Sequence, residues 1–366
     1  MRNRKLNMIG ILLMLSLNVG AQGSNSSFDN LVWSDEFEID GPVDNSKWFH
    51  QTQIPNGNSW FNGEIQHYTD RTENAVVEDG VLKIIAQREN YTDQGVTKSF
   101  TSARLNSKFA FTYGKIEIRA KLPSGIGTWP ALWMLGKNIN ENGAYWQQEG
   151  YGTTGWPACG EIDIMEHWGH NQDFVQSAIH APVSFGNTFN KGGQLIDSVS
   201  TKFHVYSLEW TPDEMIFAVD GNTHYTYKPN VKDSRTWPFD EDAYLLFNVA
   251  ILPSIEASFT SSAMEVDYVR IYQESPLSII EKEENANITI FPNPFNSDLI
   301  VKFQEVGNQL LKINIYNTEG KLMDTTKLRL TSNEIKVNKL NQLEPGLYII
   351  RLDGEDFNHT IKLVKH

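Results

Sequence analysis

Short segments of alternating hydrophobic and polar residues recur along the chain between residues 28 and 273. A two-residue period is typical of β-strands with one buried face, and no sustained 3.6-residue apolar period competes with it. Turn-forming Gly, Pro, Asn and Asp separate the segments, so the pattern predicts an all-β antiparallel sandwich. The clearest segments are GVLKIIAQ (80–87), FTYGKIEIRAKL (111–122), GEIDIME (160–166), FHVYSLEW (203–210), EMIFAVDG (214–221), AYLLFNVA (243–250) and MEVDYVRIYQ (264–273).

A second, smaller β region is predicted at the C-terminus. The segment ESPLSIIEKEENAN (274–287) carries a run of charges and little apolar alternation, which is typical of a linker. Residues 288–366 then alternate again, and TEG (318–320) is typical of a turn. We therefore expect a first domain over residues 22–273 and a small C-terminal β-sandwich. Its predicted strands are NITIFPNP, DLIVKF, LLKINIYN, KLMDTTKL, EIKVNKL, GLYIIRL and HTIKLVKH.

The N-terminal residues have the order of a secretory signal peptide. Basic side chains among the first five residues precede an apolar run from Met8 to Val19, and the small residues Gly20 and Ala21 follow. A transmembrane anchor is the alternative, but the run is shorter than the roughly 18 to 20 apolar residues that cross a bilayer. The sequence therefore predicts a signal peptide over residues 1–21.

The composition narrows the classes of partner. The formal net charge of −14 would repel a polyanion at long range, which argues against nucleic acid and favours a neutral polysaccharide over a sulfated one. Solubility alone would also account for this charge. The single cysteine, Cys159, allows no internal disulfide. All ten tryptophans lie between Trp33 and Trp237, so the two β regions differ in composition.

The segment GEIDIMEHW (160–168) concentrates three acidic residues on one predicted strand. Side chains alternate between the faces of a strand, so Glu161 and Asp163 share a face while Glu166 points to the other. One extra residue around Ile164 and Met165, a β-bulge, would bring all three carboxylates to the same face. The spacing therefore predicts a bulge at this position.

Three carboxylates on one face raise one another's pKa values, and separated pKa values suit a nucleophile and a general acid. A retaining glycosidase uses such a pair about 5 to 5.5 Å apart. The alternative is an exposed edge strand whose acidic side chains prevent aggregation. Trp129 and Trp133 lie in SGIGTWPALWMLG (124–136), where they are also compatible with a position in the core. Together with Trp156 and Trp168, they favour a sugar-binding groove.

These residues together resemble family 16 of the glycoside hydrolases, and within that family the laminarinases. The resemblance covers about residues 28–273 and implies a concanavalin A-like jelly roll. The segments that carry it are LVWSDEF (31–37), NGEIQHYT (62–69), TSARLNSKFAFTYGKIEIRAKLP (101–123), GTWPALWMLG (127–136), WPACGEIDIMEHWG (156–169), FHVYSLEW (203–210), VDG (219–221) and VDYVRIYQ (266–273).

The resemblance implies that Glu161 is the nucleophile, Asp163 its hydrogen-bonding partner and Glu166 the acid/base, with no cofactor required for catalysis. The extra residue in EIDIME occurs in laminarinases, agarases and carrageenases and is usually absent from mixed-linkage and xyloglucan enzymes. We therefore expect a secreted, retaining endo-β-1,3-glucanase that hydrolyses laminarin-type β-glucan by double displacement. The alternatives are a mixed-linkage glucanase, an agarase, a carrageenase or a non-catalytic β-glucan-binding protein. Binding proteins of this kind typically lack a catalytic glutamate.

The resemblance also places Asn62, Arg104, Trp129 and Trp133 on the glycone side of a cleft. For Arg104, a structural ion pair is the alternative to a contact with sugar hydroxyls. His180, in SAIHAP, is expected to touch the cleft beyond the catalytic strand, although a lone histidine is more often a structural hydrogen-bonding residue.

A structural calcium ion is a further implication of the resemblance. Asp267, with backbone oxygens near Glu36 and Gly80, matches the calcium site of many relatives, and a simple strand-end acid is the alternative reading of Asp267. The chain departs from the family after LLFNVA (245–250), where ILPSIEASF replaces a common glycine-rich loop with a tryptophan. This departure leaves product length and the cleft wall open.

Residues 288–366 resemble the C-terminal sorting domains of the type IX secretion system. The match rests on FPNPFNSDLIVKF (291–303), INIYNTEGKL (313–322) and PGLYIIRL (345–352). It predicts passage across the outer membrane, a secreted or cell-surface location, and a tail that is often removed. A carbohydrate-binding module is the alternative, and the absence of tryptophan argues against it. We expect a monomer.

Overall fold

The computed structural model of the protein describes residues 28–55, 57–274, 288–303, 309–317, 321–338, 340–354 and 358–366. The predicted signal peptide, the predicted turn at 318–320 and all of the predicted linker except Glu274 lie outside these residues. The chain divides into two compact units, residues 1–275 and 276–366. In the part of the chain described, no helix is long and apolar enough to span a membrane.

The larger sheet of the first unit has eleven strands. Strands are numbered along the chain, and neighbours on the main path follow the order 16-15-14-9-18-6-5-2, with strand 1 on strand 18, strand 7 on strand 6 and strand 4 on strand 7. All of these pairs are antiparallel except that of strands 4 and 7. The strands are β1 (Phe28–Asp35), β2 (Gly41–Pro42), β4 (His67–Tyr68), β5 (Ala75–Glu78), β6 (Val81–Asp93), β7 (Val96–Ser102), β9 (Gly114–Lys121), β14 (His204–Trp210), β15 (Met215–Val219), β16 (Asn222–Tyr227) and β18 (Ser261–Glu274).

The smaller sheet of this unit has seven antiparallel strands in the order 13-12-11-10-17-8-3. A short helix, α1 (Tyr145–Gln148), and a 3-10 turn, Phe61–Gly63, lie outside both sheets. The strands are β3 (Trp48–His50), β8 (Arg104–Phe111), β10 (Thr128–Gly136), β11 (Glu161–His167), β12 (Phe174–His180), β13 (Lys191–Leu195) and β17 (Ala243–Ile251).

The core of the first unit lies between the two sheets. Strand β9 contributes Ile116 and Ile118 from the larger sheet, and β17 contributes Leu245, Phe247 and Val249 from the smaller one. Because β17 alternates, Asn248 and Ala250 point to the opposite face of the smaller sheet, where they line a cleft. The structure thus confirms the predicted antiparallel sandwich and leaves one sheet face for the candidate site.

The predicted β-bulge is confirmed in β11. Opposite β10, Asp163 pairs with Trp133 and Met165 with Leu132, so Ile164 is the extra residue. Opposite β12, the three-residue step from Asp163 to Glu166 faces a two-residue step from Ala178 to Gln176. The bulge therefore restores the parity that brings Glu166 to the face of Glu161 and Asp163.

The second unit is a small β-sandwich, as predicted. A three-stranded sheet has the order 19-20-23 and a four-stranded sheet the order 22-21-24-25. Leu299 and Val301 of the first sheet share one hydrophobic core with Leu311, Ile313 and Ile350 of the second. A 3-10 turn covers Leu340–Gln342. The strands are β19 (Ile288–Phe291), β20 (Leu299–Phe303), β21 (Gln309–Tyr316), β22 (Leu322–Leu330), β23 (Glu334–Val337), β24 (Gly346–Asp353) and β25 (Asn358–Lys365).

Candidate active site

A cleft of about 520 Å³ crosses the outward face of the seven-stranded sheet. Its lining comes from six consecutive strands, β8, β17, β10, β11, β12 and β13, and from the segments beside them. The structure brings together in this cleft every residue that the sequence proposed for catalysis or sugar binding: Asn62, Arg104, Trp129, Trp133, Glu161, Asp163, Glu166 and His180.

The three carboxylates of β11 lie side by side at the floor of the cleft and are largely removed from water. Asp163 is 3% exposed and Glu166 8% exposed. Burial raises the pKa of Asp163 to about 8. Burial, followed by the charge of Asp163, raises the pKa values of Glu161 and Glu166 to about 8 as well. The cleft therefore disfavours the state in which all three are ionised, and at least one proton is retained among them near neutral pH.

Each glutamate receives a hydrogen bond from a tryptophan. The indole Nε1–H of Trp156 donates to Glu161 Oε2 at 2.8 Å. The indole Nε1–H of Trp129 donates to Glu166 Oε1 at 3.1 Å. Trp129 also stacks against Trp168, with ring centroids 5.7 Å apart. These donors fix the glutamate side chains and stabilise their ionised forms against the effect of burial.

His180, on β12, faces the carboxylates with its Nε2 atom. Its Nδ1 accepts a hydrogen bond from the Gly186 N–H at 3.0 Å, which assigns the proton of a neutral imidazole to Nε2. Nε2 lies 3.2 Å from Asp163 Oδ2 and 3.6 Å from Glu161 Oε1. The sequence placed His180 at the cleft, and the structure adds that it contacts two of the acids.

Glu161, Asp163 and His180 present ligand atoms within 4.8 Å of one another, which is close enough to hold a metal ion. The tautomer assigned above argues against such a role, because an Nε2 that carries a proton has no lone pair for a metal. The donor set therefore suits hydrogen bonding between a histidine and a carboxylate better than metal coordination.

Arg104 forms the ion pair that the sequence offered as one alternative, and it also lines the cleft. Its guanidinium pairs with Glu141 at 2.9 Å and donates to Gln51 Oε1 at 3.0 Å, so it forms a buried ion pair. It also lies over the ring of Trp133, 4.9 Å from the centroid. Asn248 accepts a hydrogen bond from the Trp133 indole at 2.7 Å. Arg104 and Asn248 therefore hold the Trp133 ring in place within the cleft.

Asn62 lines the cleft from the turn Phe61–Gly63. Its backbone has φ 55°, a left-handed conformation that asparagine tolerates better than most residues. Glu64, just beyond this turn, is buried and accepts a hydrogen bond from the Tyr68 hydroxyl at 2.8 Å. Burial raises the pKa of Glu64. The turn thus adds an exposed amide and a buried carboxyl group to the cleft lining.

The segment that departs from the family pattern packs beside the cleft. The N–H of Leu252 bonds to Gly127 O at 2.8 Å, and that of Glu256 to Ile126 O at 3.2 Å. Of the described residues, none in 252–260 lines the cleft, whereas Ala250 does. The ILPSI segment therefore contacts the residues that precede β10, and it forms no part of the cleft wall.

The residues proposed for calcium are engaged by arginines. Asp267 pairs with Arg119, and Glu36 accepts two hydrogen bonds from Arg270 at 3.0 and 2.8 Å. The guanidinium group of Arg119 opposes the approach of a cation to the Asp267 carboxylate, whereas the contribution expected near Glu36 is a backbone oxygen and not the carboxylate that Arg270 holds. Calcium binding near Asp267, Glu36 and Gly80 stays a prediction of the resemblance.

Several cleft residues were not singled out from the sequence as members of the site. The sequence places Trp156, five residues before Glu161, among the tryptophans that favour a groove, but it gives no sign of a contact with a catalytic carboxylate. Glu64, Glu141, Asn187 and Lys191 come from distant segments and line the same cleft. No local pattern marks them, because only the folding of the sheet brings them together.

The fold and the bulged acidic strand agree with comparisons to known proteins. Residues 62–270 match Glycosyl hydrolases family 16. The chain belongs to this family. A Beta-glucanase of Rhodothermus marinus is 37% identical over 75% of this chain and 95% of its own length. Family 16 membership makes the protein a glycoside hydrolase, as predicted.

Solved structures of two related proteins share the fold of the first unit. A glutamate-to-serine variant of LamA from Zobellia galactanivorans, solved with laminaritriose and laminaritetraose, is 48% identical, covers 67% of this chain and 100% of its own, and has a TM-score of 0.62. The laminarinase of Flavobacterium sp. UMI-01 is 36% identical over 67% of this chain and 100% of its own, with a TM-score of 0.58. These similarities confirm the jelly-roll fold.

Residues 289–366 match the Secretion system C-terminal sorting domain. This match confirms the expected location of the family 16 protein, which is secreted or held at the cell surface.

Proposed function

We propose that the protein is a retaining endo-β-1,3-glucanase that hydrolyses laminarin-type β-glucan by double displacement. The observation that carries the proposal is the bulge at Ile164, which gathers Glu161, Asp163 and Glu166 at the floor of a tryptophan-lined cleft. The relatives named for β-glucanase and laminarinase activity support the choice of substrate.

In the first step the Glu161 carboxylate attacks the anomeric carbon while protonated Glu166 donates its proton to the leaving glycosidic oxygen. A glycosyl-enzyme intermediate forms and the aglycone departs. In the second step Glu166, now ionised, takes a proton from water, whose oxygen attacks the same carbon and releases Glu161. Two inversions at one carbon retain the β-configuration.

The environment of the cleft suits these roles. Burial raises the pKa of Glu166 to about 8, which keeps it protonated as a general acid near neutral pH. The hydrogen bond from Trp156 stabilises the Glu161 carboxylate that must attack. Asp163 lies between them on the strand, 3.2 Å from His180 Nε2 and with a carboxylate oxygen within 4.8 Å of one from Glu161, so its charge acts directly on the nucleophile.

The shape of the cleft supports cleavage within a chain. Neighbouring strands of a sheet lie about 4.8 Å apart, so the six consecutive strands that line the cleft span roughly 24 Å. This length accommodates several sugar units on both sides of β11. Trp129 and Trp133 offer ring faces for the apolar faces of sugars on one side.

The proposal is tested by incubating the protein in parallel with laminarin, mixed-linkage glucan, agarose and carrageenan. We expect reducing ends from laminarin first, and preferential release from another polysaccharide would redirect the substrate assignment. Glu161→Ala should abolish release from laminarin while binding persists. Unchanged hydrolysis by Glu161→Ala would contradict the mechanism. Proton NMR of the first product should show the β-anomer, and an initial α-anomer would exclude retention.

A non-catalytic glucan-binding protein is the rival from another class. It would bind laminarin without releasing reducing ends, so the same assay separates the two. We also propose export through a signal peptide over residues 1–21 and a monomeric enzyme. Intact mass of the secreted protein and light scattering test these points.

A further inference from the structure

The bulge in β11 is bonded on its core side by a serine of β12. Opposite β12, Ile164 and Met165 together occupy the place of one residue, and that place faces Ser177. A bulge takes its extra residue out of the regular ladder of strand pairing, so backbone groups there need other partners. The Ser177 hydroxyl donates to the Ile164 carbonyl oxygen at 2.7 Å. Ser177 therefore contacts the segment of β11 that sets the parity of the acidic side chains.

Ser177 faces the core and not the cleft. Its neighbours on β12, Gln176 and Ala178, line the cleft, so the alternation of the strand turns Ser177 to the opposite face. Ser177 is fully buried there. It has no access to a sugar bound in the cleft, and any effect of Ser177 on the reaction must pass through the backbone of β11.

A histidine of the opposite sheet fixes the direction of this hydrogen bond. His224, on β16 of the larger sheet, has its Nε2 atom 2.9 Å from Ser177 Oγ. A carbonyl oxygen can only accept, so the single hydroxyl proton points to Ile164, and Ser177 Oγ accepts from the N–H at His224 Nε2. His224 Nδ1 then accepts from the Gln194 amide at 3.2 Å. Burial lowers the pKa of His224, which favours the neutral ring that this arrangement requires.

The position of the bulge decides the orientation of Glu166 more than that of Glu161. With the extra residue at Ile164, Glu166 shares the face of Glu161 and Asp163. A one-residue change of register turns a side chain to the other face of its strand. Glu161 precedes the bulge and is paired with β10 and β12 independently of it, whereas Glu166 follows the bulge. A hydrogen bond that holds the bulge therefore acts chiefly on Glu166.

We propose that Ser177 is a positioning residue that holds the bulge at Ile164, supported by His224, and thereby keeps Glu166 directed at the leaving-group oxygen. The inference rests on the proposed function, in which Glu166 is the general acid. Without the hydroxyl, the Ile164 carbonyl loses this donor and the bulge is less firmly held. Proton donation by Glu166 is then impaired more than attack by Glu161.

The test compares wild type, Ser177→Ala and Ser107→Ala on laminarin and on dinitrophenyl β-laminaribioside, whose leaving group departs without protonation. Ser177→Ala should lower kcat/KM on laminarin about ten- to hundredfold, as expected for a misplaced general acid. On the dinitrophenyl substrate its kcat/KM should stay within about threefold of wild type, because formation of the glycosyl-enzyme then needs no proton from Glu166.

Ser107 is the matched control for the loss of a buried hydroxyl. It is also fully buried in the seven-stranded sheet and donates to a backbone carbonyl, that of Phe109, at 2.7 Å. It lies on β8, three strands away from β11. Ser107→Ala should lower the melting temperature about as much as Ser177→Ala does, since each loses one buried hydrogen bond. Its kcat/KM on both substrates should equal that of wild type.

His224→Leu provides a second variant at a half-buried position, where folding is less at risk than at Ser177. It removes the donor to Ser177 and should lower kcat/KM on laminarin about three- to tenfold, with little change on the dinitrophenyl substrate. Equal losses on the two substrates in both variants, or wild-type kinetics in both, would overturn the positioning role and leave the proposed function intact. A wild type that hydrolyses neither substrate would overturn the proposed function and this inference with it.

Discussion

Trp156 donates its indole N–H to Glu161 Oε2 at 2.8 Å, and Trp129 does the same for Glu166 at 3.1 Å. The two carboxylates that the mechanism needs in opposite protonation states thus have equivalent donors. Their common burial raises both pKa values to about 8. The difference in protonation state between Glu161 and Glu166 must therefore come from electrostatic coupling among these two glutamates and Asp163.

Removing the first donor should shift the acidic limb of the pH profile. Trp156→Phe keeps an aromatic ring but deletes the hydrogen bond to the Glu161 carboxylate, so the pKa of Glu161 rises further. Because the nucleophile must be ionised, the acidic limb of kcat/KM should move up by about one pH unit. The profile on laminarin measures this shift, and an unmoved acidic limb would contradict the role of the bond.

Trp129→Phe should act on the other limb. Loss of its hydrogen bond raises the pKa of Glu166, which must be protonated as the acid, so the alkaline limb moves up by about one unit. KM should also increase, because the ring belongs to the tryptophan pair of β10. If the acidic limb of kcat/KM shifted instead, Glu166 would be the nucleophile and Glu161 the general acid.

Glu166→Gln should stabilise the protein in a pH-dependent manner. The pKa of Glu166 is raised from 4.5 to about 8 by folding. Below pH 4.5, Glu166 is protonated in both the folded and the unfolded state. Between pH 4.5 and 8 it loses its proton only in the unfolded state. The free energy of unfolding of the wild type therefore falls as the pH rises through this window. The advantage of the glutamine variant should grow over this window by on the order of 2 kcal/mol in urea unfolding. A difference that stays constant with pH would refute the raised pKa.

Arg104→Met should destabilise the fold and weaken substrate binding together. The change leaves Glu141 buried without its cation, at a cost of about 3 to 5 kcal/mol, and removes the group that packs on Trp133. Thermal unfolding and KM for laminarin measure the two effects. The double variant Arg104→Met/Glu141→Gln should recover stability, because no charge is left unpaired, but should not recover KM. Equal stability of the single and double variants would argue against the ion pair.

Deletion of residues 276–366 should leave hydrolysis of laminarin intact and abolish secretion in a host with the type IX system. The two units have separate hydrophobic cores that share no residue, so the first does not depend on the second for its packing. Activity of the purified truncated protein and its cellular location are the measurements. Lost activity in a folded truncated protein would show that the tail belongs to the catalytic unit.

The sequence by itself determined the features that depend on short-range patterns. A two-residue period sufficed for the strands and for both sandwiches. The five-residue spacing of Glu161 and Glu166 was enough to require a bulge, because side-chain parity is a local property of a strand.

Only the tertiary structure decided which distant groups meet. The partner of Arg104 is Glu141, 37 positions away, and Asn187 and Lys191 reach the cleft through the pairing of β12 with β13. Strand order and register across a sheet depend on the packing of the whole core, and neither is encoded in any single segment. The crowding of three acids on one strand was enough to predict that their pKa values are raised. Burial is the largest cause of this rise, and only the folded cleft shows that these side chains are buried.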